Sequence, residues 1–336
     1  TGRRWSRASS ALVLRGTEIS YLTFGIVLVI ALIFDFGLFS KKNSHITMKS
    51  AFYQSIFWVA ISLAFCVFLY FEDGSKVATK FLTAYLMEKS LSVDNIFVFI
   101  LIFSSFKISD SDTARTLLIG ILLAIVFRII FIAIGIGLIE RFHWILYIFG
   151  VFLVYTGYKL FFKKDEEEFN PRESKLYRFL RKYFRLTTVE PRGKYIIRRN
   201  GKVYFTMLSV VVFMLAAIDI VFALDSIPTV VSIVRERADV PFSPDDVLVI
   251  YSSNIFAVLG LRALFFLLKG AVNKFDFLQQ GIAVVLTFIG VKMLIEFFDI
   301  HISIYISLAV IVICLAASIL YSVYHNRKMP EQITDL

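Results

Sequence analysis

The sequence predicts an all-α membrane protein, a polytopic helix bundle of about nine spans that includes two inverted three-helix repeats. Of its 336 residues, 58% are apolar and only 18% are charged, and the mean hydropathy is +0.76. Soluble domains are only about 45–50% apolar. The apolar residues form long runs, as membrane-spanning helices require, and lack the short alternating segments of a membrane β-barrel.

Nine apolar runs are long enough for spans of about 20 residues each. Their approximate bounds are 20–39, 52–71, 80–106, 115–139, 143–162, 204–234, 246–268, 277–298 and 302–324. The third and sixth runs are among the longest, and both contain acidic residues. Residues 109–112 and 243–246 are rich in Ser and Asp and are predicted to cap the fourth and seventh helices.

The longest loop, residues 163–203, contains thirteen Lys/Arg and six Asp/Glu. The positive-inside rule therefore predicts that this loop is cytoplasmic, with the N-terminus outside and the C-terminus inside a bacterial inner membrane. The net charge of +10 then reports loop orientation, and no basic-aromatic pattern indicates a nucleic-acid partner. We interpret the loop as a solvated, partly helical linker, with a lipid-headgroup or protein contact as the alternative.

Five pairs of charged residues recur in the same order, at an offset of 131 to 134 residues. The pairs are Glu88/Asp219, Asp94/Asp225, Asp112/Asp246, Arg128/Arg262 and Lys159/Lys292. Each copy contains three spans, and because three is odd the second copy enters the membrane from the opposite side. The sequence thus predicts inverted repeats at 79–162 and 204–298, with a binding site at their interface, as in secondary transporters. Residues 1–78 add two peripheral spans, and residues 299–336 add a last span and a cytoplasmic tail.

Four carboxylates inside the spans are the predicted site, and each would cost about 2.5–3.5 kcal/mol at the bilayer centre if it faced lipid. They are Glu88, Asp94, Asp219 and Asp225. We expect them to face the bundle interior, where they pair or bind a cation. Asn95, Ser226 and Asn254 add oxygen ligands, and neither His nor Met joins these motifs. Such oxygen-only ligands favour hard cations such as Mg²⁺, Ca²⁺ and Mn²⁺.

The spacing of the acids predicts irregular helices around the site. Six residues along a regular helix leave two side chains about 120° apart, so a break is needed to aim both acids of a repeat at one ion. Pro228 is expected to break the sixth span beside Asp225, because proline clashes with the preceding turn. In the third span, Ser90–Ser92 is a weaker candidate for unwinding.

The basic residues inside the spans have a structural interpretation. Arg128 and Arg262 are expected to form buried ion pairs that hold the bundle together. Because four carboxylates meet two arginines, a cation or protons must balance the remainder. Lys159 and Lys292 are expected to reach opposite membrane faces by snorkelling.

Three long motifs resemble the TerC/Alx family of membrane proteins, and the resemblance covers roughly residues 20–325. The motifs are FLTAYLMEKSLSVDNIFVFILIFSSF (81–106), AAIDIVFALDSIPTV (216–230) and YSSNIFAVLGLRALFF (251–266). The resemblance implies a bundle related to the LysE transporter superfamily, with members implicated in Mn²⁺ export. The family's acidic positions fall on the four acids above, and its Asn falls on Asn254. Tellurite, to which the family's name refers, is an anion that an acidic site would repel.

The sequence thus favours a non-enzymatic transporter that exports a divalent cation, Mn²⁺ first and Ca²⁺ second, by alternating access between the repeats. No prosthetic group is expected, the partners are the lipid bilayer and the cation, and proton exchange and an oligomeric state stay open. The alternative is a membrane-protein assembly or insertion factor with structural intramembrane ion pairs, because plant relatives of the family are linked to inserting thylakoid proteins. An aspartyl protease using Asp94 and Asp225 is disfavoured, since the Gly-x-Gly-Asp pattern of such proteases is absent.

Overall fold

The computed structural model describes residues 17–33, 47–142, 144–162, 175–187, 193–199, 201–235, 241–269, 277–298, 300 and 302–328. Eleven α-helices and one two-stranded sheet make up this part of the chain. The helices are α1 (Thr17–Ile33), α2 (Met48–Glu72), α3 (Ser75–Ser105), α4 (Asp110–Arg141), α5 (Ile145–Phe161), α6 (Lys175–Tyr183), α7 (Met207–Val234), α8 (Pro244–Val258), α9 (Leu261–Lys269), α10 (Leu278–Ile295) and α11 (Ile304–Lys328). Strands β1 (Ile196–Arg199) and β2 (Lys202–Phe205) lie between α6 and α7, and a 3₁₀ turn (Glu296–Phe298) follows α10.

The helical bundle confirms the predicted all-α class of membrane protein. Five stretches of helix within the described residues are long and apolar enough to cross a membrane: Met48–Glu72, Asp112–Arg141, Met207–Val234, Pro244–Lys269 and Tyr305–His325. The count of nine spans and the inverted orientation of the repeats stay predictions.

Two helices begin at the serine caps that the sequence predicts. The side chain of Ser109 accepts a hydrogen bond from the backbone N–H of Asp112 at 3.4 Å, at the start of α4. Ser243 and Asp246 form a reciprocal capping box at the start of α8, with hydrogen bonds of 3.1 and 3.0 Å. These bonds satisfy N–H groups that the first turn of a helix leaves without a partner.

The helix breaks predicted beside the acids are wrong. Helix α3 is continuous, and the hydroxyls of Ser90 and Ser92 donate to the carbonyls of Leu86 and Glu88 at 2.8 and 2.7 Å within it. Helix α7 likewise continues through Pro228. A serine hydroxyl that bonds back to the preceding turn needs no unwinding to be satisfied.

The break lies instead in the seventh span, between α8 and α9. Gly260 lies in this break with a φ of +80°, and a Cβ atom at this position would lie 2.6 Å from Cγ of Trp58 on α2. Both the left-handed backbone and the close approach of α2 therefore require glycine. The sequence does not predict this break, because Gly260 lies in an apolar run without proline.

The loop predicted as a solvated linker is partly folded against the bundle. Strands β1 and β2 pair antiparallel from Ile196↔Phe205 to Arg199↔Lys202. Leu180 on α6 is buried in the same hydrophobic cluster as Val211 and Phe265. Helix α6 confirms that the loop is partly helical, but its packing against the bundle and the hairpin were not predicted. Among the described residues, the hairpin is the one exception to the helical fold.

Helices α5 and α10 pack backbone to backbone. A Cβ atom at Gly290 would lie 2.7 Å from the carbonyl oxygen of Gly150, and a Cβ atom at Gly150 would lie 3.2 Å from the carbonyl oxygen of Gly290. Small residues permit such contact between helices in a membrane, where close packing replaces the hydrophobic effect between helices.

Candidate functional site

Arg128 on α4 is the centre of a buried network that joins four helices. Its Nε and Nη2 atoms donate to the two carboxylate oxygens of Asp219 on α7 at 2.8 and 3.0 Å. Its Nη1 atom donates to Oε2 of Glu88 on α3 at 2.9 Å and to Oδ1 of Asn254 on α8 at 2.7 Å. Four residues that lie far apart in the sequence thus meet at one guanidinium.

The network is closed to solvent and contains two carboxyl groups for one guanidinium. Arg128 is 2% exposed, and Glu88 and Asp219 are each 1% exposed. One guanidinium faces two carboxylates, so these three groups sum to −1 when all are ionised. The bidentate contact with Asp219 has the planar geometry that makes arginine the preferred partner for a buried carboxylate.

The network lies between two hydrophobic layers. On α4, Ile125 belongs to one buried cluster and Ile132 to the other, and Arg128 lies between them. On α7, Leu215 and Ala223 flank Asp219 in the same way. Apolar side chains therefore seal the charged centre from both ends of the bundle.

Some buried polar atoms around this centre have no hydrogen-bond partner among the described residues. Two of them belong to the network itself, Oε1 of Glu88 and Nδ2 of Asn254. An unsatisfied buried polar group costs about 1–3 kcal/mol. Unpartnered atoms on two helices within one charged cluster are typical of a site that takes a polar ligand.

Two of the predicted acids lie outside this description. The backbones of Asp94 and Asp225 belong to α3 and α7, but their side chains are not among the described ones. Within the described residues, no group of three or more His, Cys, Asp or Glu side chains is arranged to hold a metal ion. The four-carboxylate site thus stays a prediction, and the described half of it consists of two acids around Arg128.

The other predicted ligands and the second arginine are buried. Asn95 follows Asp94 on α3, and Ser226 follows Asp225 on α7. Arg262, the predicted counterpart of Arg128, is buried at the start of α9. The structure therefore places these polar side chains in the bundle interior, which is what the sequence predicts for them.

The prediction that Lys292 snorkels to a membrane face is wrong. This residue is 7% exposed, and its Nζ atom donates to the carbonyl of Ser232 at 2.9 Å. That carbonyl belongs to the last turn of α7, where the helix supplies no further N–H group and its dipole favours a cation. Lys159 in the last turn of α5 is exposed, so the two lysines of this pair have different surroundings.

One basic residue near the site, Lys89, is not among the residues predicted from the sequence. Lys89 follows Glu88 directly, and its Nζ atom donates to the carbonyl of Ala257 at 3.3 Å. Ala257 lies in the last turn of α8, just before the break at Gly260. The sequence shows Glu88 and Lys89 side by side. It does not show that Glu88 pairs with Arg128 while Lys89 contacts the end of α8, because the break at Gly260 was not predicted.

Comparison with known proteins identifies close relatives along almost the whole chain. The profile of the integral membrane protein TerC family matches residues 73–329. Alx of Escherichia coli K12, provisionally named a membrane-bound redox modulator, is 39% identical over 94% of this chain and 98% of its own length. Uncharacterized membrane proteins of Myxococcus xanthus and Rickettsia felis are 40% and 38% identical, each over 92% of this chain and over 94% and 99% of their own lengths. No solved structure matches the chain.

Proposed function

Since the chain belongs to the TerC family of integral membrane proteins, we propose that it transports a divalent metal cation, Mn²⁺, through the centre of the bundle. The observation that carries this proposal is the buried network of Glu88, Arg128, Asp219 and Asn254. A charged cluster that joins four helices between two hydrophobic layers is expensive in a membrane and is typical of an ion pathway. Export as the direction rests on the resemblance to the family.

The helix contacts support the proposed pair of repeats. When α3, α4 and α5 are matched in order with α7, α8–α9 and α10, the α3–α8 contact exchanges with the α7–α4 contact. The α3–α7 and α5–α10 contacts map onto themselves, and all four contacts are present in the bundle. A two-fold relation between the halves requires this pattern, and alternating access uses such a relation.

The charges of the network favour a cation as the transported species. Arg128 keeps its proton in any protein environment, and it donates hydrogen bonds to both Glu88 and Asp219. Those two carboxylates exceed its charge by one, and we expect Asp94 and Asp225 to add to the excess. Oε1 of Glu88 has no donor among the described residues and is therefore the atom that we expect to contact the ion first.

The full proposed site consists of oxygen ligands from three helices, α3, α7 and α8. Its members are Glu88, Asp94, Asn95, Asp219, Asp225, Ser226 and Asn254. Carboxylate and amide oxygens suit Mn²⁺ and Ca²⁺ better than copper or zinc. Protons that exchange at the same carboxylates are the proposed counter-ions, and the cytoplasmic position of residues 163–203 is part of the same proposal.

Redox chemistry, which the provisional name of the Alx relatives suggests, has less support in this chain. The sequence has two cysteines. Cys66 on α2 and Cys314 on α11 are both free thiols. Transport therefore gives a role to the buried charged residues of this chain, whereas a reaction of the two thiols would not.

Flux measurements in liposomes test the proposal. The purified chain is reconstituted around a metal-sensitive dye, and influx of Mn²⁺, Ca²⁺, Mg²⁺ and Zn²⁺ is compared. We expect Mn²⁺ flux to be lost by about tenfold or more in Glu88→Gln, Asp94→Asn and Asp225→Asn, since each loses a charged ligand worth at least about 1.4 kcal/mol. Glu140→Gln is the matched control, because Glu140 is an exposed carboxylate at the end of α4.

The outcomes separate transport from its rival. Mn²⁺ flux in the wild type and in Glu140→Gln, together with its loss in the three site variants, is the expected result. Absence of flux for every ion in a well-folded protein would overturn transport. That outcome would favour the assembly or insertion factor, in which the buried ion pairs are structural.

A further inference from the structure

A basic surface on α6 and the β1–β2 hairpin has no role in the proposed transport site. Residues 175–205 contain ten Lys/Arg and one Asp/Glu. Within the part of the chain that the structure describes, none of the exposed basic side chains of this segment forms a salt bridge with an acid. These side chains are those of Arg178, Arg181, Lys182, Arg185, Lys194, Arg198, Arg199 and Lys202. Together with the exposed rings of Phe179 and Tyr183 they form what we call the α6 surface.

One face of α6 fixes the helix to the end of the bundle. Leu180 is buried in a cluster with Val211 of α7. The ring of Tyr177 lies 5.5 Å from that of Phe106, which follows the last residue of α3. The helix therefore has a fixed position where α3 ends and α7 begins.

The rest of the α6 surface presents aromatic rings beside the buried face and positive charge farther round the helix. Phe179 is 52% exposed and Tyr183 is 65% exposed, and their ring centres lie 4.6 Å apart, one helical turn from each other. Nζ of Lys182 lies 5.5 Å from the centre of the Tyr183 ring, and Arg178 and Arg181 are exposed beside them. Exposed rings interleaved with cations are unfavourable in water but typical of a helix that lies in a membrane interface.

The position of the surface indicates its partner. Phe184, directly after α6, contacts the ring of Phe213 at 5.7 Å. Phe213 lies in the second turn of α7 and is itself partly exposed. The α6 surface thus lies beside the first turns of a predicted span, where we expect that span to enter the membrane. Aromatic rings gather at this level, and basic side chains there meet phosphate groups.

We propose that the α6 surface binds the anionic phospholipid headgroups of the bilayer in which the chain is embedded. Arg178, Arg181 and Lys182 contact phosphate oxygens, and the rings of Phe179 and Tyr183 insert at the boundary of the acyl chains. Charge complementarity carries the assignment, because a dense group of cations that has no acidic partner among the described residues faces a surface of fixed negative charge. The surface is separate from the Arg128 network, so the assignment does not depend on transport.

Quenching by brominated lipid tests this assignment. A tryptophan reporter is introduced by Tyr183→Trp, and the chain is placed in liposomes in which either phosphatidylglycerol or phosphatidylcholine is brominated. The signal of the chain without this substitution is subtracted, because the sequence contains three other tryptophans. We expect brominated phosphatidylglycerol to quench the reporter several-fold more than its share of the lipid predicts.

Two double variants distinguish specific binding from mere proximity. Arg181→Gln with Lys182→Gln is expected to reduce quenching to the level set by lipid composition. Lys49→Gln with Lys159→Gln removes two exposed lysines from elsewhere and is expected to leave the enrichment unchanged. Equal quenching by both lipids overturns the assignment. So does an unquenched reporter that is open to aqueous acrylamide, which would indicate a soluble acidic partner.

Discussion

The two ends of the bundle are closed by different chemistry. At the end where α3 and α8 begin, which we call the Lys80 end, Nζ of Lys80 lies 2.7 Å from Oδ1 of Asp246. At the end where α4 and α7 begin, which we call the Tyr195 end, the hydroxyls of Thr116 and Tyr195 lie 3.2 Å apart. At the Lys80 end, an ion pair thus joins two helices. At the Tyr195 end, a hydrogen bond between two neutral side chains joins α4 to Tyr195, which lies just before β1.

Further contacts follow the same division. At the Lys80 end, carboxylates accept hydrogen bonds from α1: Thr17 donates to Asp245 at 2.7 Å and Ser20 donates to Asp73 at 2.6 Å. At the Tyr195 end, the inserted hairpin segment is held through a backbone carbonyl, since Thr206 donates to the carbonyl of Lys194 at 2.8 Å. The Lys80 end should therefore respond to charge and salt, and the Tyr195 end to loss of single neutral hydrogen bonds.

The difference falls on residues that the two predicted repeats do not share. At the repeat offset of 131, Lys80 corresponds to Val211, which carries no charge. Asp112, which corresponds to Asp246 at offset 134, therefore has no lysine at the equivalent position. The predicted repeats thus share charged residues within their spans, but the sequence offers no equivalent of the Lys80–Asp246 pair at the Tyr195 end.

The largest loss of stability is expected from Arg128→Met, in the buried network between the Lys80 and Tyr195 ends. The substitution leaves Glu88 and Asp219 buried without their cation, and removing one partner of a buried pair costs about 3–5 kcal/mol. Unfolding in detergent measures the loss. Combining Arg128→Met with Glu88→Gln and Asp219→Asn should restore part of the stability, and failure to do so would contradict the electrostatic cause.

A smaller effect is expected from Gly260→Ala in the break between α8 and α9. The new methyl group would press on Trp58, and overpacking of this kind costs about 1–3 kcal/mol. Gly201→Ala is the matched control, because Gly201 also has a positive φ, of +71°, but a Cβ atom there would have nothing within 4 Å. Equal losses of thermal stability for the two variants would show that backbone strain alone requires Gly260.

Lys80→Met should weaken the Lys80 end alone. The side chains of the Lys80–Asp246 pair are 10% and 14% exposed, so we expect a loss of about 1–2 kcal/mol, between the values for exposed and buried pairs. Hydrogen exchange measures where the loss occurs. Faster exchange at the starts of α3 and α8, with no change at the start of α7, is the expected pattern, and a uniform change along the chain would contradict local closure.

The smallest effect is expected from Tyr195→Phe, which removes one neutral hydrogen bond worth about 0.5–1.5 kcal/mol. Burial raises the pKa of the Tyr195 phenol above its ordinary value of 10.0, although Thr116 and Arg115 oppose this shift. A raised folded-state pKa means that the unfolded chain loses its proton first, so stability falls as pH rises above 10. The wild type should therefore lose stability more steeply than Tyr195→Phe in that range, and parallel slopes would contradict the shift.

Patterns along single helices could be predicted from the sequence. The apolar runs, the Ser109 and Ser243 caps and the pairing of Arg128 with acids all follow from local chemistry or from the cost of a buried charge. Features set by contacts between distant helices could not. Gly260 is required by Trp58, which lies 202 positions earlier, and Lys292 is held by a helix end that the sequence alone does not bring near it.

The predicted breaks failed for a physical reason of the same kind. Pro228 was given the role of a helix breaker, but neighbouring helices in a bundle stabilise a helix that proline would disrupt alone. The hairpin was missed because its strands are only four residues long and are rich in charge. Neither the packing of neighbouring helices around Pro228 nor a four-residue strand produces a periodic pattern in the sequence.

The glycine contact between α5 and α10 limits how the two halves of the molecule can move. The carbonyls of Gly150 and Gly290 each lie where a side chain of the other helix would otherwise be. Val154 on α5 already packs against Gly290, so sliding the two helices past each other would move its side chain onto a residue that has a Cβ atom. They can still roll about their line of contact. The pair therefore serves as a pivot, and its position fixes the axis about which one half could rock against the other.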